Sequence, residues 1–183
     1  MQSGFGRMGE AFWGFARHGV VPDMVTLGKP MANGHPTGAV VTRPEILEIF
    51  QRKIEFFSTF GGNPVSAAAA LATLNVLQEE DLQGNAQHTG MALRAGIASL
   101  QARFPLLADV RGAGLMTGVE IYENGQPSRA LAKRIANGMR RAQVLIGTEG
   151  PDGNVLKIRP PLPFNDADAM RFLATLERVL AAL

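Results

Sequence analysis

The C-terminal half of the chain alternates between helix-type and strand-type hydrophobic periods, and this restricts the fold more than any other feature. Apolar residues at helical spacing from Leu93 to Phe104 end at Pro105, and residues 115–121 then alternate in the manner of a half-buried strand. Ser128 is placed as the N-cap of one further helix, and Asn165, with Asp168 three residues on, of another. Helices and strands that alternate over about a hundred residues predict a compact α/β unit.

Local residue types predict three more features of this half. Residues 144–146 and 155–158 are apolar and are predicted as strands joined by the Pro/Gly/Asp-rich turn 149–154. Residues 111–118 contain glycines but lack the rest of a dinucleotide fingerprint, so they are predicted as a turn leading into a strand. In the last helix we expect four leucines to face inward, namely Leu173, Leu176, Leu180 and Leu183.

Shorter elements with more turns are predicted in the first part of the chain. Residues 24–27 and 38–41 are apolar segments bounded by turn residues, and they are predicted as short buried strands. Pro44 opens one helix, and Asn63 followed by Pro64 opens an alanine-rich second helix. The many alanines indicate close packing against a neighbour.

A change of composition near residue 80 divides the chain. Residues 79–81 are acidic, and Gly84 and Asn85 follow closely. Such stretches are typical of turns, so we expect two domains, residues 1–80 and residues 81–183. The chain opens on a glycine-rich stretch with neither a strand nor a helix cap before it, which favours a part of a longer protein.

Composition is that of an ordinary globular protein and argues against several classes of function. Of 183 residues 46% are hydrophobic and the formal net charge is +2, so neither disorder nor a nucleic-acid partner is expected. The densest basic run, Arg140-Arg141, is typical of a solvated helix face. No cysteine is present and the three histidines have no metal spacing, so no metal site is expected. No segment approaches the roughly 20 apolar residues of a membrane span. We expect a cytoplasmic protein.

Lys29 differs from the other three lysines in its surroundings. It follows an apolar strand and Gly28, and it precedes Pro30, which cannot extend a strand ladder. An amine at the end of a buried strand is poorly solvated, and this favours its neutral, nucleophilic form. Gly28 leaves room for another group to approach the backbone. From spacing alone, a solvated lysine in a turn remains an alternative.

Four segments of the sequence resemble, in order, the motifs of class III pyridoxal-phosphate-dependent aminotransferases. They are QSGFGRMG at residues 2–9, VTLGKPMANGHP at residues 25–36, STFGGNP at residues 58–64 and LKIRPPL at residues 156–162. The resemblance extends over essentially the whole chain and corresponds to a little under the last half of a full-length subunit. It implies a fold-type I α/β architecture, in which residues 1–80 end the large cofactor-binding domain and residues 81–183 form the small C-terminal domain.

The resemblance also implies roles for individual residues. Lys29 is similar to the lysine that carries pyridoxal 5'-phosphate as a Schiff base, and Gln2 to the glutamine that hydrogen-bonds the phenolic oxygen of the cofactor. Thr59 matches the threonine that reaches the phosphate of the cofactor in the neighbouring subunit. Arg159 matches the arginine that holds the α-carboxylate of the substrate. In the family this motif opens with Asp-Glu-Val/Ile-Gln, and of that opening only the glutamine is present here, as Gln2.

These residue types suit the chemistry, although each has a plainer interpretation. A hydroxyl and backbone N–H groups before a helix N-terminus suit a phosphate dianion, and a guanidinium presents a planar fork to a carboxylate. From spacing alone, residues 58–64 are also compatible with a loop before an N-capped helix. Arg159 is likewise compatible with an ordinary arginine at a sheet edge, and Gln2 with an ordinary polar residue.

The resemblance implies a transaminase that moves an amino group between an amino donor and a keto acid, as a homodimer or higher homo-oligomer. Residues 56–64, 80–86 and 150–157 are similar to the alanine–glyoxylate aminotransferase 2-like branch, which includes phospho-lyases acting on ethanolamine phosphate. Those lyases often carry lysine at the position of Arg159, so the arginine favours transamination. Because the ring-binding carboxylate and the main phosphate loop of the family are not in this sequence, we expect the isolated chain to be inactive. A non-catalytic folding or oligomerisation module is the alternative.

Overall fold

The computed structural model describes residues 3–183, and its N-terminal part contains a small two-stranded sheet. β1 (Met24–Leu27) and β2 (Ala39–Thr42) pair antiparallel, with Met24 opposite Thr42. Both predicted strands are confirmed, but the prediction that they are buried is wrong. Met24 is 59% and Val40 64% exposed, because both strands of so small a sheet are edge strands and one face is left uncovered.

Two helices follow this sheet at the positions predicted from their prolines. α1 (Pro44–Lys53) and α2 (Pro64–Glu79) each have proline in the first turn. The Asn63 side chain accepts a hydrogen bond of 2.9 Å from the Ser66 backbone N–H, which caps α2. In α1 no residue is buried, and in α2 only Ser66 and Leu77 are buried. The close packing that the alanines predict is therefore not formed along most of α2.

The second part of the chain is a five-stranded antiparallel sheet with three helices. The strand order is β3-β4-β7-β6, and β5 pairs with β4. The elements in chain order are α3 (Leu82–Leu100), β3 (Leu107–Ala113), β4 (Met116–Glu123), β5 (Gln126–Pro127), α4 (Arg129–Arg141), β6 (Gly147–Glu149), β7 (Val155–Ile158) and α5 (Asp166–Ala181).

The predicted helix caps, the alternation of one strand and one turn are confirmed in this part of the chain. Ser128 accepts a hydrogen bond from Leu131 N and begins α4. Asn165 and Asp168 form a reciprocal capping box at the start of α5. Along β4 every second residue is buried, beginning at Thr117. The turn at residues 149–154 joins β6 to β7 as predicted.

Two predicted strand boundaries are wrong. Residues 111–113 are not a turn but the end of β3, where Arg111 pairs with Gly118 of β4. Glycine signals a turn locally, and here the partner strand overrides that signal. Residues 144–146 are not a strand, because the ladder to β7 begins at Gly147. Their apolar character is explained by packing of Val144 and Ile146 against the core.

Two helix predictions also need correction. α3 begins at Leu82, so Gly84 and Asn85 lie in its first turn rather than in a linker, and the Asp81 side chain caps it by accepting from Gly84 N. The helix ends at Leu100, before Phe104. Leu183 lies beyond the end of α5 and is 40% exposed, so its predicted inward position is wrong.

The apolar interior consists of two clusters. The buried residues of the main core lie between Leu93 and Leu180, and they fill the space between the five-stranded sheet and helices α3, α4 and α5. The second cluster has Phe5, Leu77 and Leu82 at its centre. Partly buried residues from four other segments pack against it, namely Phe12, Trp13, Leu27, Met31 and Leu162. The second cluster therefore joins N-terminal segments to the loop after β7.

Most of the exposed large apolar side chains in the described part of the chain lie within residues 20–76, and these side chains are called the exposed apolar band. Its most exposed aromatic residues, Phe56, Phe57 and Phe60, have 74%, 82% and 81% of their surface in contact with solvent. Apolar patches of this kind on a folded protein mark surfaces that bind another protein segment. In residues 3–183 there is no helix that is both long enough and apolar enough to cross a bilayer.

Candidate active site

Lys29 lies at the turn that directly follows β1. It opens the short 3-10 turn Lys29–Ala32 and adopts a positive φ of 44°. The side chain is exposed, and within residues 3–183 its amine has no hydrogen-bond or ion-pair partner. The expected position after a strand is confirmed, but the expected desolvation is wrong. The turn packs against α2, but the Lys29 side chain is left exposed, so the amine is in contact with solvent.

Thr59 lies in an exposed turn that leads into the N-terminus of α2. The Ser58 hydroxyl accepts a hydrogen bond of 3.0 Å from Gly61 N, and Gly62 has a positive φ of 69°. The Asn63 amide donates to Phe60 O at 2.8 Å, so the turn is tied to the cap of the helix. The Thr59 hydroxyl itself is free of partners in the described part of the chain and can accept or donate to a ligand.

A hydrogen bond joins the segment after Lys29 to the same helix N-terminus. His35 Nε2 and Ser66 Oγ are 2.8 Å apart, and Asn63 Nδ2 donates to the same hydroxyl at 3.0 Å. The Lys29 and Thr59 segments therefore meet at the start of α2. His35 and Ser66 were not predicted as site residues, because their contact joins positions that are 31 residues apart.

Arg159 follows β7 and lines a cavity of about 290 Å³. The guanidinium is exposed and has no carboxylate oxygen within 4.0 Å among residues 3–183. Arg171 and Asp168 of α5 also line this cavity, together with apolar residues that include Phe164. A cationic group over a partly apolar cavity can bind the carboxylate of a small amphiphilic molecule.

Arg7, from the first motif, connects the N-terminal loop to the segment that carries Arg159. Its Nη1 donates to Pro160 O at 2.7 Å and to Leu115 O at 3.1 Å, and Leu115 N donates to Arg7 O at 3.0 Å. Burial and, second, the positive charge of Arg159 lower the pKa of Arg7 from the usual arginine value. No role is predicted for Arg7 from the sequence, because these partners are more than a hundred residues away along the chain.

The second cluster brings the motif segments into one region. Leu27 and Met31, on either side of Lys29, pack against this cluster, and so does Leu162, three residues after Arg159. The cavity that Arg159 lines includes neither Lys29 nor Thr59. Lys29 and Arg159 thus lie on segments that meet at this cluster, and Thr59 lies on a segment outside it. Gln2 lies outside the described residues.

Comparison with known proteins identifies the family. The family model for class III aminotransferases matches residues 1–180. A mitochondrial alanine–glyoxylate aminotransferase 2 homologue of Arabidopsis thaliana is 47% identical over 92% of this chain and 36% of its own length. A phospholyase from Arthrobacter, solved with phosphoethanolamine, superposes with a TM-score of 0.97 at 46% identity over 100% of this chain and 44% of its own.

A third likeness comes from an amine transaminase of an uncultivated Pseudomonas species, solved with pyridoxal phosphate bound. It has a TM-score of 0.86 and 33% identity over 98% of this chain and 42% of its own. The fold is therefore the fold-type I α/β architecture of pyridoxal-phosphate-dependent enzymes. The chain belongs to the class III aminotransferase family. It spans less than half the length of each of these three proteins.

Lys29 and Thr59 fit two groups of pyridoxal phosphate, the reactive aldehyde and the phosphate that anchors the cofactor. The unpaired amine of Lys29 suits an aldehyde carbon, and the Thr59 hydroxyl with the amides of the Gly61-Gly62 turn suits a phosphate at a helix N-terminus. Both groups are exposed, so a ligand can reach them in this chain.

Proposed function

We propose that this chain forms part of a pyridoxal-phosphate-dependent transaminase that moves an amino group between an amino donor and a keto acid. The observation that supports this most is the position of Lys29. An unpaired lysine follows β1, and the segment after it is tied through His35 to the helix N-terminus where the Thr59 turn begins. The free amine suits the aldehyde of the cofactor, and the Thr59 turn would bind the phosphate of the cofactor in the neighbouring subunit.

Each proposed role follows from the chemistry of the side chain. When bound, pyridoxal phosphate supplies an electron sink for the negative charge that develops at the α-carbon of the substrate. Lys29 would hold the cofactor. Once free, its amine would take the proton from the α-carbon of the substrate and deliver it to the C4′ atom of the cofactor. Thr59 would bind the phosphate of the cofactor in the neighbouring subunit, Gln2 the phenolic oxygen of the cofactor, and Arg159 the substrate carboxylate through a bidentate pair.

A phospho-lyase acting on a phosphorylated amine is the second candidate, and one observation favours it. The Arthrobacter structure with a TM-score of 0.97 is described as a phospholyase in complex with phosphoethanolamine. Arg159 supports transamination instead, because its planar fork matches a carboxylate. The two reactions release different products, a new amino acid or inorganic phosphate, so one assay of both products separates them.

Replacing Arg159 with methionine tests the proposed reaction. In the enzyme that contains this chain, we expect the KM for a carboxylate-bearing substrate to rise roughly 10- to 100-fold, because a charge-assisted hydrogen bond contributes about 1.5–3 kcal/mol. Transfer of the amino group to a keto acid and release of phosphate from phosphoethanolamine are measured in parallel. Arg140→Met, at an exposed arginine of α4, serves as the control. Phosphate release by the unchanged enzyme, without amino transfer, would favour the lyase.

We further propose a homodimer or higher homo-oligomer in the cytoplasm. The exposed apolar band supports assembly, because its aromatic residues would otherwise remain in water. The lack of cysteine is compatible with a reducing compartment. A non-catalytic folding or oligomerisation module remains the alternative to an enzyme, and it predicts assembly without cofactor attachment at Lys29.

The division into domains 1–80 and 81–183 is also a proposal, and truncation tests it. We expect residues 81–183 alone to unfold in one cooperative urea transition, because the buried residues of the main core lie between Leu93 and Leu180. Residues 1–80 alone should show no such transition, since most of their apolar side chains are exposed even in the whole chain. A broad, non-cooperative transition for residues 81–183 would contradict the proposed boundary.

A further inference from the structure

Arg159 lies at the end of a stiff segment with two prolines. Pro160 and Pro161 follow it directly, so φ is fixed at two positions, and Arg159 and Pro160 are each held in extended conformations by the proline after them. On the other side, β7 is fixed where Ile158 pairs with Thr117 of β4. The segment therefore moves largely as one stiff unit, and a hydrogen bond to the Pro160 carbonyl anchors all of it.

Arg7 fixes that carbonyl. Its Nη1 donates to Pro160 O at 2.7 Å and at the same time to Leu115 O at 3.1 Å, at the turn between β3 and β4. The backbone that carries Arg159 is therefore anchored at both ends, by the ladder of β7 and by the guanidinium of Arg7. A charged donor makes a stronger hydrogen bond to a carbonyl than a neutral donor does.

Arg7 also places a second positive charge near Arg159. Arginine remains protonated in proteins, so the two guanidinium groups repel each other. Within residues 3–183, neither has a carboxylate oxygen within 4.0 Å. Asp168 lines the same cavity as Arg159, but one of its carboxylate oxygens accepts from Asn165 N in the cap of α5. An anion that binds at Arg159 relieves this repulsion, so the pair favours an anionic ligand.

We propose that Arg7 is the positioning residue for Arg159, and that it orients this guanidinium and strengthens its hold on the substrate carboxylate. This rests on the proposed function of Arg159. Arg7 acts through the Pro160 carbonyl and through its charge, and it does not itself contact the substrate. Arg7, which lies in the N-terminal loop, would thereby help to determine the specificity of a carboxylate site that the second part of the chain forms.

Arg94 is a matched comparison for Arg7. It also hydrogen-bonds the turn between β3 and β4, but it makes no hydrogen bond to Pro160. Its Nη1 donates to Gly114 O at 2.6 Å, and burial followed by the charge of Arg17 lowers its pKa. If Arg7 only holds the β3–β4 turn in place, the loss of either arginine has the same effect. If Arg7 positions Arg159, the loss of Arg7 alone weakens carboxylate binding.

The test measures binding of propanoate, a carboxylate without an amino group, to the pyridoxal-phosphate-loaded enzyme that contains this chain. For Arg7→Met we expect the dissociation constant to rise about tenfold, and for Arg94→Met to change less than about twofold. Arg7→Lys, which keeps the charge but not the fork, should fall between Arg7→Met and the unchanged enzyme. In turnover, Arg7→Met should raise the KM for a carboxylate substrate and leave both kcat and the KM for propan-2-amine unchanged.

The outcomes separate this inference from the proposed function. Equal weakening by Arg7→Met and Arg94→Met overturns it and leaves Arg7 as a tether. If Arg159→Met weakens propanoate binding and Arg7→Met does not, the inference fails while the role of Arg159 stands. Unchanged binding in Arg159→Met refutes the role of Arg159 itself. Thermal unfolding is followed for each variant, and if Arg7→Met does not fold, Arg7→Lys and Arg94→Lys give the same comparison.

Discussion

Replacing Lys29 with alanine should abolish turnover in the enzyme that contains this chain. We expect a fall of roughly 10³-fold or more, because the variant loses the nucleophile that holds the cofactor and the base that moves the substrate proton. Amino transfer to a keto acid measures the loss. Incubation with pyridoxal phosphate followed by borohydride should place a stable label on residue 29 of the unchanged chain, and peptide mapping locates it.

Lys53 provides the control for this experiment. It is an exposed lysine at the end of α1, so Lys53→Ala should keep both turnover and the label at residue 29. Scattered labelling of surface lysines in the unchanged protein would contradict the proposed cofactor site. It would support the alternative in which the chain serves only in folding or assembly.

Replacing Leu156 with alanine should destabilise the second part of the chain by about 2–5 kcal/mol. Leu156 is fully buried on the inner strand β7, between Val119 of β4 and Thr148 of β6. Truncation to alanine leaves a cavity in the main core that neighbouring strands cannot fill without breaking their ladders. The loss in free energy of unfolding is measured as a shift of the urea midpoint while the dependence of that free energy on urea concentration stays unchanged.

Leu145 is the matched control for this change, because it is a leucine of the same sheet region with 86% of its surface exposed. Leu145→Ala should alter the free energy of unfolding by less than about 0.5 kcal/mol. If the two variants have equal urea midpoints, Leu156 does not belong to a cooperative core.

Helix caps and the alternation of β4 are predicted correctly from the sequence because their signals are local. Asn63, Ser128 and Asn165 each hydrogen-bond a backbone N–H three residues ahead, so residue type and position suffice to place a helix start. The alternation in β4 likewise follows from one buried face. Such features need no knowledge of distant segments.

Predictions that depend on distant partners failed or were not made. Residues 111–113 have the local glycine content of a turn, and only the ladder to β4 makes them a strand. Burial of β1 was expected from its apolar residues, but burial depends on what covers a strand, and no element of residues 3–183 covers Met24. The role of Arg7 cannot be predicted from the sequence for the same reason, because its hydrogen-bond partners Leu115 and Pro160 become its neighbours only in the folded chain.

Because of the exposed apolar band, the free energy of unfolding of residues 20–76 should depend on the concentration of whatever binds this band. A segment or subunit that covers Phe56, Phe57 and Phe60 can bind them only when the chain is folded, so its binding adds directly to the free energy of unfolding. At a partner concentration 100 times the Kd this linkage contributes about 2.7 kcal/mol. The melting temperature of this part of the chain should therefore depend on protein concentration, whereas that of the main core should not.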